Sequence, residues 1–253
     1  MEFFLNLILD FVIGFIIVFN IISFFKIFRG KYPSVVTLQP IERENTPFQT
    51  HEKSIKLEQE LIDLGFYLLG FSVLLDQKNN TYVMIFRHSI NHMFCLCYLN
   101  EKTKVFAYEF CLGSLSGKGI NIVSDNFPMA FQQVNKELYR IPTNFSPALA
   151  YLSICKELKN DVLQVCPDSL DEVLYLISAY LKKDAIYQTE KGFLYKTKTD
   201  QAFQKISLKG TLVLLWRTGI PTGLYFSYKE FSKFEKRFIK KQSISYLGIH
   251  GKV

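Results

Sequence analysis

FFLNLILDFVIGFIIVFNIISFF, residues Phe3 to Phe25, is the one stretch of the sequence long and apolar enough to cross a bilayer, and every other reading follows from it. As a helix it rises about 35 Å against a hydrocarbon core of about 30 Å, so it spans with modest tilt. With no water in that core, a helix is the form that satisfies its own backbone. A cleaved signal peptide is the competing reading. Only Met1 and Glu2 precede the run, it is longer than a signal h-region, and no A-x-A-like site follows it. The expectation is therefore an uncleaved single-pass anchor. Lys26, Arg29 and Lys31 follow it and Glu2 precedes it, which predicts an outward N-terminus and a cytoplasmic C-terminal domain.

Polar residues inside the span can be placed by angle. At about 100° per residue, Asp10 falls about 40°, Gly14 about 80° and Asn20 about −40° from Asn6, one stripe about 120° wide. An intramembrane carboxyl is usually turned toward protein or water, and a small residue beside it lets another helix approach. Asn6, Asp10, Gly14 and Asn20 are thus the candidate face for a transmembrane partner helix or for self-association. The alternative is that Asp10 simply reaches the outer headgroups.

Beyond the span the sequence divides into a juxtamembrane linker (26–49) punctuated by Pro33, Pro40 and Pro47, an α+β domain (50–227) and a basic amphipathic helix with a tail (228–253). In the domain, Ile55, Leu57, Leu61, Ile62 and Leu64 lie largely on one side of a helix over 51–64, with Gly65 placed to end it. Five β-rich runs follow, Phe66–Leu75, Tyr82–His88, Met93–Leu99, Val105–Leu112 and Ile120–Val123, with turn-like breaks between them. Connections this short join antiparallel neighbours, so the block predicts a meander of four to five strands. Val105, Ala107 and Glu109 face one way and Phe106, Tyr108 and Phe110 the other. Tyr82–Phe86 is apolar on both faces, which predicts a sheet covered on each side or curved around a pocket.

The C-terminal half reads as helical. Phe127–Arg140 suggests one short helix ended by Pro142, and Ser146-Pro147 starts a second running to about Lys159. Ser169 to Glu172 forms a capping box ahead of a helix from Leu170 to about Ile186. Leu212–Trp216 is open between strand and buried helix. In the last helix, Tyr228 to Lys241, phenylalanines recur with interleaved Lys and Arg. Phe231, Lys233, Phe234, Lys236, Arg237, Phe238, Lys240 and Lys241 are its candidate membrane-surface residues, since basic groups beside aromatic ones suit a headgroup boundary. The alternative is an ordinary amphipathic helix packed on the domain.

Composition and motifs exclude more than they assign. The formal charge of +7 permits an anionic partner, and for a tethered chain the lipid bilayer is nearer than nucleic acid, which is not expected. Five cysteines, an odd number without framework spacing, suit a reducing compartment. Gly113–Gly119 has the wrong inter-glycine spacing for a phosphate loop and lacks Ser or Thr after Lys118. His88, His92, Cys95 and Cys97 lie close together but do not form the usual zinc-ligand spacing, and buried cysteine is ordinarily a small hydrophobe. No catalytic residue, metal site or cofactor is expected. The reading is a membrane-anchored, non-enzymatic interaction module of a membrane complex. Its alternatives are a tethered enzyme with a pocket between sheet and helices, and a lipid-binding domain.

Overall fold

In the computed structural model the described residues are 2–33, 38–74, 80–90, 93–113, 119–127, 131, 133–142, 145–157, 167–196 and 203–239. The apolar leader forms α1 (Glu2–Phe28), long and apolar enough to cross a membrane, and most of its side chains are exposed. The domain beyond it is α+β. Its sheet has seven strands in the order β2 (Leu38–Ile41), β3 (Phe66–Leu74), β4 (Thr81–His88), β5 (Phe94–Asn100), β6 (Phe106–Gly113), β7 (Gly119–Val123) and β8 (Lys136–Arg140). All neighbours are antiparallel except β7 and β8, which run parallel.

The run 82–86 is apolar on both faces because both faces are covered. Met84 and Phe86 point into a core with α2 (Glu52–Asp63), α3 (Pro147–Glu157) and the last helix. Val83 and Ile85 meet α4 (Leu170–Glu190) on the opposite side. Burying such a side chain contributes about 1.5–3 kcal/mol, so two covered faces roughly double what each strand contributes. The predicted caps form: Ser169 Oγ accepts from Glu172 N at 3.3 Å, Ser146 Oγ accepts from Leu149 N at 3.2 Å, and Gly65 follows α2 at φ +90°.

The sheet is wider than the expected meander at both edges. Leu38–Ile41, expected in the linker, is an edge strand, and Pro40 is tolerated there because an edge residue need not donate to a second neighbour. Lys136–Arg140, expected within a helix, is β8, and its parallel pairing requires the longer crossover that residues 124–135 provide. Leu212–Trp216 lies inside a helix, α5 (Leu208–Thr218), capped by Ser207 Oγ on Gly210 N at 3.0 Å. The last helix starts earlier than expected, as α6 (Thr222–Phe234), and widens into a π turn over Glu235–Ile239. A two-stranded ribbon pairs β1 (Lys31–Pro33) with β9 (Phe203–Lys205). Beside it Ile27, Tyr32, Val213 and Leu214 pack around Phe131, Ala185, Leu194 and Ile206, tying the end of α1 to α4 and α5.

Candidate functional site

Between the sheet and α4 the packing opens into a cavity of about 610 Å³. The register explains its floor. Tyr98 lies opposite Ala107, Leu96 opposite Glu109 and Cys111 opposite Asn121, so alternate residues of β5, β6 and β7 present one row of side chains to α4. Ala107 is too small to fill the gap there. Ile177, Tyr180 and Leu181 of α4 form the roof, Leu38 and Leu74 line one side, and Tyr32, Gln133 and Lys136 line another. Thr103, Val105 and Asn126 are exposed lining residues and mark where the cavity reaches solvent.

Most of the wall is apolar, but a charged cluster sits in the floor. Tyr98 donates its hydroxyl to Glu109 Oε1 in a short hydrogen bond, and Asn121 Nδ2 donates to Glu109 Oε2 at 3.0 Å. Glu109, Asn121 and Lys136 are all buried. Lys136 Nζ stands 5.1 Å from the centre of the Tyr180 ring. Asn121 Oδ1 is buried with no partner among the described residues. Burial pushes the Glu109 carboxyl above the usual carboxylate range, against the lowering pull of the Tyr98 hydroxyl, Lys136 and Asn121. Burial likewise pulls the Lys136 ammonium down, opposed by Cys111 and Glu109. The Tyr98 hydroxyl and Cys111 thiol are raised by burial and then by the neighbouring Glu109 charge.

A second polar knot adjoins the first. Tyr32 donates to Asp184 Oδ2 in a short hydrogen bond, while Asp184 Oδ1 accepts from Val134 N at 3.1 Å and from Gln188 Nε2 at 3.2 Å. The Asp184 carboxylate is thereby held by the chain itself. Chemically, the cavity offers an apolar slot with hydrogen-bonding and proton-holding groups in its floor.

The residues singled out in the sequence fall elsewhere. Asn6, Asp10 and Gly14 are exposed on α1, and a side chain at Gly14 would meet open space. Asn20 faces inward: its Nδ2 donates to Ile220 O at 2.8 Å and its Oδ1 accepts from Ile220 N at 3.2 Å. Phe234 and Phe238 are core residues, contrary to the membrane-surface expectation. Their rings meet each other at a tilt, and Phe234 meets Phe145 and Phe238 meets Tyr139 edge-on. Phe231 is half-buried, Lys233 and Lys236 are exposed, and Arg237 Nη1 donates to Glu137 Oε2 at 2.8 Å. Lys240 and Lys241 lie outside the described residues, as do His92 and most of the Gly113–Gly119 loop.

His88 is buried against Leu64 O at 3.0 Å and the Tyr151 hydroxyl at 2.7 Å. Cys95 and Cys97 point into the same core. Among the described residues no group of three or more His, Cys, Asp or Glu could hold a metal. Glu109, Asn121 and Lys136 were not foreseen. The available signal was a polar residue at an inward strand position, Glu109 within FAYEFCLG and Asn121 within GINIV. Comparison with known proteins finds no matching family model, no matching curated protein and no matching solved structure.

Proposed function

We propose that the chain is a single-pass membrane-anchored binding module whose pocket over the sheet takes an amphipathic small molecule. The observation that carries this reading is the cluster of buried Glu109 and Asn121 with half-buried Tyr98 in the floor of a largely apolar cavity of about 610 Å³. Ligand sites have this size and this mixture, an apolar body with a few convergent polar groups. The buried Asn121 Oδ1, unpartnered among the described residues, favours a ligand whose polar end donates a hydrogen bond, such as a hydroxyl or an amine. The membrane supplies molecules of that kind, and α1 holds the pocket close to them.

Anchoring is supported by the length and apolarity of α1. The basic flank Lys26, Arg29 and Lys31 supports a cytoplasmic domain, as do the buried free thiols Cys95, Cys97 and Cys111. Exposure of Asp10 and Gly14 on α1 supports a transmembrane partner or a second copy on that face, which would make the module part of a membrane complex.

A second reading, acid–base catalysis on the bound molecule, is favoured by one observation. A raised carboxyl and a lowered ammonium, Glu109 and Lys136, share one cavity. The test is to purify the full chain in mild detergent and identify by mass spectrometry what organic extraction releases from it. Ala107→Leu, which fills the slot, is the comparison, with thermal unfolding checking that it is folded. The native chain is expected to release an amphipathic molecule that the variant lacks. Equal release from both rejects the pocket reading. So does no release together with no thermal stabilisation by fatty acids, isoprenoid alcohols or sterols. Chemical conversion of the ligand that Glu109→Gln abolishes while binding persists would move the assignment to an enzyme.

A further inference from the structure

We infer that α5 and α6 form a re-entrant hairpin that dips into the leaflet from which α1 emerges, lodging Trp216 among lipid chains. This rests on the reading of α1 as a membrane anchor. Its starting point is the clasp between Asn20, well inside the apolar run, and both backbone groups of Ile220 at the hairpin tip. Asn20 stands about 9 Å along the helix before Lys26, the first basic residue of the flank. Whatever touches Asn20 therefore lies below the headgroups if α1 spans.

The two helices run side by side over that whole depth. Gly30 approaches Ile206, Ile27 packs with Val213 and Leu214, and Asn20 meets Ile220, which fixes an antiparallel register. Along α1, Ile16, Asn20, Ser23, Phe24 and Ile27 are the half-buried stripe that faces this neighbour. A side chain at Gly219 would come within 2.5 Å of Asn20 Oδ1, so the tip is seated closely on the helix.

Sequence and exposure agree with lipid as the occupant of the outer face. Between Lys209 and Lys229 the only charged residue is Arg217, and it turns back to Glu230 at 3.1 Å. The two lysines are exposed and bracket the hairpin in sequence, one before and one after its tip, as headgroup contacts would require. Leu212, Trp216, Leu224, Tyr225 and Tyr228, on the two helices that meet at the tip, stand 53%, 62%, 67%, 60% and 70% exposed. In water an exposed turn needs no help from a distant side chain. In hydrocarbon its N–H and C=O must be paired, and Asn20 pairs both at Ile220.

Trp216 is the sole tryptophan of the chain, so the native protein carries its own probe. The full chain is reconstituted into palmitoyl-oleoyl phosphatidylcholine vesicles, with and without brominated acyl chains, and carbonate extraction is run on the same vesicles. Severalfold quenching of Trp216 emission by the bromines, with little quenching by aqueous acrylamide, is the expected result. A protein that resists carbonate while Trp216 is quenched by acrylamide and untouched by bromine would overturn the hairpin inference and leave the anchor standing. Release by carbonate would overturn the anchor and the hairpin together.

Discussion

Arg140 and Glu230, ninety residues apart, meet at 3.1 Å in the interior between β8 and α6, both nearly inaccessible to solvent. Arg140 also donates to the carbonyls of Asp125 and Phe127 at 2.8 Å each, and Arg217 reaches the other oxygen of Glu230 at 3.1 Å. Glu230 thus compensates the buried guanidinium of Arg140 and the half-buried one of Arg217. Glu230→Gln is expected to cost about 3–5 kcal/mol, since removing one partner strands a buried charge. Urea denaturation of the full chain in detergent measures it, and a loss below about 1 kcal/mol would contradict the buried network.

Glu109 gives the stability a pH signature. Its carboxyl titrates above its ordinary value of 4.5 because it is buried. The folded chain therefore keeps a proton that the unfolded chain has released. This contribution is complete below the ordinary value and is lost as pH rises through the raised one. The stability of the native chain relative to Glu109→Gln should fall over that window. Parallel thermal unfolding curves at stepped pH read it, and a difference that grows with pH would mean the carboxylate is stabilised in place.

Gly65 ends α2 at φ +90°, and a Cβ there would stand 3.2 Å from His88 Nε2. Left-handed backbone costs a side chain about 1–2 kcal/mol. Gly65→Ala should lose about that much, with Gly65→Asn milder because Asn tolerates the conformation. Equal stability of all three in denaturant titrations would place the turn outside the folding unit.

Asp10 and Gly14 share the free side of α1. Asp10→Leu is expected to weaken association severalfold in a membrane two-hybrid assay, whether the partner is a copy or another subunit. Unchanged association would return Asp10 to a headgroup contact.

Much of the architecture could be read from residues whose neighbours are local. The extent of α2, the strands from Phe66 to Val123 and the Ser146 and Ser169 caps depend on spacing alone, and the structure has them within a residue or two; the covered face of α2 is narrower than expected, with Leu57 and Leu61 buried but Ile55 and Ile62 exposed. Strand β8 was hidden because Lys136 and Arg140 look like surface residues, and their burial is compensated by groups on distant elements. α5 was ambiguous because an apolar run as short as Leu212–Trp216 suits either form. The pocket cluster was invisible for a related reason: Tyr98, Glu109, Asn121 and Lys136 come from four strands, and no spacing in the sequence encodes their convergence.

The ribbon of β1 with β9 and the edge pairing of β2 with β3 stitch the segment after α1 into the body at two places. Among the described residues the neck is thus held at both pairings. If α1 lies in a bilayer as proposed, a tilt or rotation imposed on it is handed to the body as a lever hands on torque, and the cavity keeps a set bearing toward the lipid plane instead of sampling all directions.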